Sequence, residues 1–138
     1  MKPIERITLL CVLIAVADAC TSDKPLLGPG GSKPLAADAI AEEMVGAIVK
    51  DLAPSPGTDA LLLVNGFGGT PAMELYLLVN SALRVLLGKG VRVSRFLTGN
   101  YVTSLEMAGC SITLSVLDDA LRNLWDARVH TAALRWGL

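Results

Sequence analysis

Ala60-Leu61-Leu62-Leu63-Val64-Asn65-Gly66-Phe67-Gly68-Gly69-Thr70-Pro71 is the stretch from which the rest of the chain can be read. Its first five residues are continuously apolar and too few for a helix, the pattern of a strand covered on both faces inside a sheet. The glycines that follow permit backbone angles and close approaches that a side chain forbids. Thr70 is a natural helix N-cap, and Pro71 suits the first helical position because its missing N–H would go unpaired there. A helix is therefore expected from Pro71 to about Leu87, closed by Gly88-Lys89-Gly90. Its polar stripe is thin, only Glu74, Asn80 and Arg84, so the helix is expected to be fully buried or to form half of a subunit interface.

Working outward, Val91 to Leu97 alternates as a strand does, which makes strand, helix and strand a right-handed βαβ unit. Thr98-Gly99-Asn100-Tyr101 reads as a turn, and Ser104 to Ala108 as a short helical turn ended by Gly109. From Cys110 to Leu117, Ile112, Leu114 and Val116 face one way and Ser111, Thr113 and Ser115 the other, a strand with one polar face. Asp118 then caps a short helix through Trp125, with Leu121, Leu124 and Trp125 as its apolar stripe. On the other side, Ile40, Met44, Ile48 and Leu52 recur every four residues, predicting an amphipathic helix from about Ala36 to Leu52 that Pro54-Ser55-Pro56-Gly57 ends. The expected fold is one small α/β domain over residues 35–138, order α-β-α-β-β-α, with a βαβ unit in a mixed sheet and no internal repeat.

Two segments precede that domain. Lys2 and Arg6 stand before an apolar run from Ile7 to Ala17, and Ala17-Asp18-Ala19 has the small-x-small form that signal peptidase cleaves. Residues 1–21 thus read as a signal-like leader, and Cys20 adds the reading of a lipoprotein junction. Two plainer readings stand beside these: a core helix, since the run is too short to span a bilayer, and translation from a displaced start or a frame error upstream. Residues 22–34, with three Pro and three Gly, read as a linker.

A length of 138 residues suits a single domain with a real core. Hydrophobic residues make up 52% of the chain and mean hydropathy is +0.53, values high enough to suggest strong burial or a partner surface. A net charge of −1 offers no electrostatic case for nucleic acid, whose phosphates need a clustered positive surface. Arg84, Lys89, Arg92 and Arg95 read as a solvated rim. The three cysteines, Cys11, Cys20 and Cys110, lack both zinc spacing and the even count of a disulfide scaffold, and Cys110 reads as a small core residue. One histidine, His130, excludes a His-rich metal site.

The glycine-rich loop invites a phosphate-binding reading, since N–H groups at a helix start attract anions. It is neither a Walker A loop nor a Gly-x-Gly-x-x-Gly fingerprint, and a structural strand-to-helix corner is the plainer reading. No Ser/His/Asp or Cys/His arrangement is visible, and His130 reads as a surface residue. Asp118 and Asp119 could serve as paired carboxylates or bind Mg²⁺, but two acids at a helix start read first as a cap.

Leu63-Val64-Asn65-Gly66-Phe67-Gly68-Gly69-Thr70-Pro71-Ala72-Met73-Glu74-Leu75-Tyr76 and Gly99-Asn100-Tyr101-Val102-Thr103-Ser104-Leu105-Glu106-Met107-Ala108-Gly109-Cys110-Ser111-Ile112-Thr113-Leu114 can be read together. Both closely resemble the C-terminal part of the dihydroxyacetone (glycerone) kinase K domain. Leu117-Asp118-Asp119, Trp125-Asp126-Ala127 and Ala132-Ala133-Leu134-Arg135-Trp136 are similar to the same family in the same order. The family-motif positions are Asn65, Gly66, Gly68, Gly69, Thr70, Pro71, Glu74, Gly99, Asn100, Ser104, Met107 and Gly109, to which we assign a structural role.

The resemblance implies a cytoplasmic family that phosphorylates dihydroxyacetone and related short ketoses. Substrate is held as a covalent hemiaminal to a histidine, and phosphate comes from ATP with Mg²⁺ or from a phosphotransfer partner subunit. The K domain is two-lobed α/β and usually dimeric, and this sequence resembles its second lobe only. The substrate-linking histidine is expected just upstream of the first helix of the match, where Leu26-Leu27-Gly28-Pro29-Gly30-Gly31 has none. The histidine-containing Gly-rich segment of the first lobe has no counterpart, and the nucleotide site belongs to another domain or subunit. No catalytic, substrate-binding or metal residue is therefore carried over, and no cofactor is expected on this chain. Expected partners are a second copy, or the missing N-terminal lobe or a partner kinase subunit, with no nucleic acid and a membrane only if the leader acts as one. The chain alone is expected to be inactive. The alternatives are a non-catalytic dimerisation or regulatory module of the same family, and an exported or lipid-anchored protein of other role.

Overall fold

The computed structural model describes Leu10–Val12, residues 37–105, residues 107–132 and residues 134–137. In chain order the elements are β1 (Leu10–Val12), α1 (Ala37–Leu52), β2 (Asp59–Gly66), α2 (Ala72–Gly88), β3 (Arg92–Gly99), β4 (Cys110–Val116), α3 (Asp119–Asp126), β5 (Val129–His130) and β6 (Arg135–Trp136). The expected α-β-α-β-β-α order is present from α1 to α3, with β1 added before it and the β5-β6 pair after it. β1 falls within the predicted leader. The rest of the leader, and the linker over residues 22–34, lie outside the described residues.

The main sheet runs β1-β4-β2-β3. β2 pairs parallel with β3, as the βαβ reading requires, and antiparallel with β4, which makes the sheet mixed. β1 pairs antiparallel with β4, Leu10 opposite Leu114. β5 and β6 form a separate two-stranded sheet.

Strand alternation decides where the core sits. Ala60, Leu62 and Val64 of β2 are fully buried together with Ile112 and Leu114 of β4, so one face of the sheet is dry. Ala41, Met44, Val45 and Ile48 of α1 and Leu75, Leu78, Val79, Ala82 and Leu86 of α2 close over that face in one cluster. Removing a fully buried side chain such as Leu62 costs about 2–5 kcal/mol as transfer plus cavity energy. Cys110 packs against this cluster, and burial pushes its thiol pKa up.

Two expectations are corrected here. β2 is sealed on one face only: Leu61 and Leu63, on the other, are half-buried. Nor is α2 fully buried, for Met73, Tyr76, Leu77 and Leu87 are exposed on the side away from the sheet. With both α1 and α2 on one face of the sheet, no layer remains among the described residues to cover the outer side of α2.

α3 crosses the second face of the sheet. Asp118 caps it as expected, Oδ1 accepting from Leu121 N at 2.7 Å. Arg122 reaches Asp59 at 2.6 Å, and Arg95 holds Asp126 with two hydrogen bonds at 2.8 and 2.7 Å. An edge-on contact between Trp125 and Trp136, centroids 5.9 Å apart, ties α3 to β6. Leu124, assigned to the apolar stripe, is 70% exposed.

Candidate functional site

In an open α/β sheet, ligands gather at the carboxyl ends of parallel strands, where connecting loops diverge. Here the β2–α2 loop, residues 67–71, and the β3–β4 loop, residues 100–109, meet at that end and are stitched together. Phe67 N donates to Gly109 O at 3.2 Å, Gly69 N to Met107 O at 3.0 Å, and Ser104 N to Phe67 O at 2.8 Å. Gly68 and Met107 form a parallel bridge. Where a helical turn is expected over residues 104–108, Met107 N donates to Ser104 O at 2.8 Å, a single tight turn, and the cross-loop bonds tie its two ends to the facing loop. Leu105 takes a left-handed φ of 40° with its side chain wholly exposed.

Asn65, buried at the end of β2, is the clamp of the second loop. Its Oδ1 accepts from Tyr101 N and Val102 N, both at 2.9 Å, and its Nδ2 donates to Val102 O at 3.0 Å. Two amide donors on one oxygen and a carbonyl facing the nitrogen fix the orientation of the side-chain amide.

Thr70 does not cap α2. Its hydroxyl donates to Gly109 O at 3.0 Å and accepts from Gly109 N at 2.9 Å, closing a ring with one residue of the other loop. Pro71 occupies the N-cap position, with no side-chain cap hydrogen bond. Thr70 is spent on the tertiary contact, which satisfies two backbone groups where a cap satisfies one.

The motif glycines have separate reasons. A Cβ on Gly66 would overlap Asn100 Oδ1 and meet Leu75 Cδ1 at 2.8 Å, so Gly66 lets the β3–β4 loop lie on the strand end. Gly109 has φ of 139°, and a Cβ there would meet the Phe67 ring at 3.1 Å. Glu74 sits exposed in the first turn of α2, where a carboxylate favours the helix dipole. Thus all twelve motif positions fall in or beside the two loops.

Among the described residues the site shows no nucleophile–base pair, and the N–H groups of Phe67 and Gly69 are committed to carbonyls of the facing loop. Asp118 and Asp119 do not act together: the first caps α3, and the second, exposed, pairs with Arg122 at 3.1 Å. Among the described residues no group of three or more His, Cys, Asp or Glu could hold a metal ion. His130 is exposed in β5.

A second cluster, at the opposite end of β2, escaped the sequence reading. Asp59 is buried and receives Ser94 Oγ at 2.9 Å and Arg122 at 2.6 Å, with Arg92 Nε 3.4 Å away. Burial alone would raise its pKa. The hydrogen bonds from Ser94 and Arg122, with the charges of Arg92 and Arg122, outweigh that and hold the carboxyl below the usual range. The one available signal was an acid placed directly before an apolar run. Arg84 and Lys89 pair with Asp38 and Glu42, and Arg95 with Asp126, so the expected cationic rim is neutralised residue by residue.

Comparison with known proteins places this geometry. Residues 28–133 match the family model described as the Dak1 domain. The chain is 47% identical over 81 residues to the Escherichia coli PEP-dependent dihydroxyacetone kinase, dihydroxyacetone-binding subunit DhaK, covering 59% of this chain and 23% of that protein. It is 37% identical over 95 residues to the corresponding subunit of the PTS-dependent dihydroxyacetone kinase 2 of Listeria innocua, covering 69% and 29%. A solved structure of the dihydroxyacetone kinase operon co-activator Dha-DhaQ superposes with a TM-score of 0.64 at 32% identity, over 77% of this chain and 34% of that one. The chain therefore spans between about a quarter and a third of the length of these relatives. With the two motif loops built as one body and over three quarters of its residues inside the family match, the chain belongs to the Dak1 domain family.

Proposed function

We propose that residues 35–138 are the second lobe of a dihydroxyacetone-binding kinase subunit. In this reading it takes part in phosphorylating dihydroxyacetone or a related short ketose only together with the remaining lobe. One contrast carries it. The loops bearing the family motifs are fully assembled around Asn65 and Thr70, whereas residues 26–31, where the family places its substrate-linking histidine, contain none. The motif residues are then a scaffold, and the phosphate donor, ATP with Mg²⁺ or a phosphotransfer partner, is handled by a separate domain or subunit. The same reading favours a cytoplasmic site of action. Among the described residues no helix is long and apolar enough to cross a membrane.

Phosphorylation of dihydroxyacetone by the purified chain tests this, with ATP and separately with a complete phosphotransfer system, beside an active full-length relative. No turnover is expected in either assay. Clear turnover would show that another group replaces the histidine and would overturn the reading.

A second reading, a non-catalytic regulatory module, is favoured by the likeness to an operon co-activator at a TM-score of 0.64. It predicts the same silence in the kinase assay but a change in expression of a kinase operon when the chain is deleted. Export through residues 1–21 is the remaining alternative, and a reporter fusion that stays inside the cell removes it.

A further inference from the structure

The core ends at Leu117. From Asp118 to Gly137 none of the described residues is buried, although this stretch carries α3, β5 and β6. The stretch is nonetheless one unit. β5 and β6 pair with each other, Trp125 of α3 packs edge-on against Trp136 of β6, and Thr131 Oγ1 and Leu134 exchange hydrogen bonds at 3.0 and 3.2 Å. Charge fastens this unit to the sheet. Arg122 reaches the buried Asp59 of β2 at 2.6 Å, and Asp126 accepts two hydrogen bonds from Arg95 of β3 at 2.8 and 2.7 Å. Between these two clips the fit is poor. A cavity of about 260 Å³ stays open beneath α3 among Leu61, Ser115, Leu117, Leu121, Leu124 and Trp125, so facing apolar groups there forgo contact. Trp125 Nε1 is buried with no hydrogen-bond partner among the described residues, a cost that exposure to water removes.

We infer that residues 118–137 form a salt-released strap over the outer face of the sheet. As ionic strength rises, the strap detaches in one piece and uncovers Leu61 and Leu117, while the sheet, α1 and α2 stay folded. Each clip has a member within reach of dissolved ions, for the side chains of Arg122, Arg95 and Asp126 are 33%, 34% and 41% exposed. Charges act over a Debye length of about 30 Å in 0.01 M salt but only about 3 Å in 1 M, so the clips weaken across that range. The cluster that α1 and α2 form on the other face contains no residue of the strap and has no such dependence. A unit with few buried contacts opens at a small fraction of the cost of global unfolding. The strap behaves in this way whether or not the chain acts with a further lobe.

The full chain carries its own reporter. Its two tryptophans, Trp125 and Trp136, both lie in the strap, whereas far-ultraviolet circular dichroism reads mainly the longer helices α1 and α2. Urea unfolding followed by both signals, in about 0.01 M and about 1 M sodium chloride, should give coincident transitions at low salt and an earlier tryptophan transition at high salt. Native-state hydrogen exchange over α3 should accelerate about tenfold or more between the same salts, with β2 and β4 unchanged. Arg122→Gln combined with Asp126→Asn should separate the two transitions already at low salt and remove most of the salt response. Asp126→Asn alone, at an exposed position that spares the fold, should move the tryptophan signal part of the way and leave the dichroism midpoint in place. Coincident transitions at both salts overturn the strap. So does exchange that speeds up in β2 as much as in α3, or a salt response that the substitutions leave at its full size.

Discussion

The two ends of β2 are fastened by different chemistry. At its carboxyl end Asn65 and Thr70 bind neutral backbone groups of a distant loop, whereas at its amino end Asp59 gathers a serine and two arginines. Neutral bonds in a fixed geometry respond little to pH or salt. A carboxylate among cations responds to both. The motif-bearing end is thus insulated from solution conditions, and the end that anchors α3 is not.

Replacing the clamp should produce the largest effect. Asn65→Ala leaves the Tyr101 and Val102 amides without their acceptor and should cost about 3 kcal/mol in urea unfolding, at any pH between 5 and 8. Hydrogen exchange at those two amides should accelerate in this variant and not in Asp59→Asn. Equal protection in both would erase the distinction between the ends.

Asp59→Asn comes next, at about 2 kcal/mol near neutral pH, because its arginine partners are partly exposed and can hydrate. The folded-state pKa of Asp59 is lowered. Its contribution is therefore present above the unfolded value near 3.8 and is lost as pH falls through the folded value. The stability difference between wild type and Asp59→Asn should shrink as pH is lowered from 5 toward 3. A difference that stays constant would mean that the cluster acts through packing, not charge.

Thr70→Val should cost about 1–2 kcal/mol by removing both bonds to Gly109, and Thr70→Ser should restore most of it. If the value at Thr70 came instead from capping α2, helix content would fall with Thr70→Val and the β3–β4 loop would keep its protection. Smallest is Arg95→Gln, which breaks an ion pair with the 41%-exposed Asp126 and should leave the urea midpoint almost unchanged, with any difference vanishing in high salt.

What could be read from the chain follows the range of the interactions involved. The helix stripe at Met44 and Ile48, the apolar run of β2 and the Asp118 cap are local patterns and appear where expected, and the alternation in β4 holds at Ile112 and Leu114 but not at its ends, where Ser111 is buried and Val116 exposed. The assignment of Thr70 failed because a hydroxyl before a helix suits a cap equally well, and only the fold brings Gly109, 39 residues later, within reach. The turn over Ser104 to Met107 was legible as a turn, but its attachment to the other loop through Phe67 and Gly69 was not. The motif positions were named as a set through family resemblance, but the clamp role of Asn65 was not legible, and no local pattern singled out Asp59. A continuous apolar run also cannot say which of its two faces is sealed, since Leu62 and Leu63 are chemically the same.

Asn65 and Val102 are 37 residues apart in the chain, which gives the loop a history as well as a shape. Closing that contact requires β2, the α2 crossover and β3 to be in place first, since local order forms before distant pairing can repay its entropy. The loop should then be among the last parts of the chain to acquire native structure. A synthetic peptide spanning residues 99–109 should sample many conformations, since the information that shapes it is carried by an asparagine on another strand.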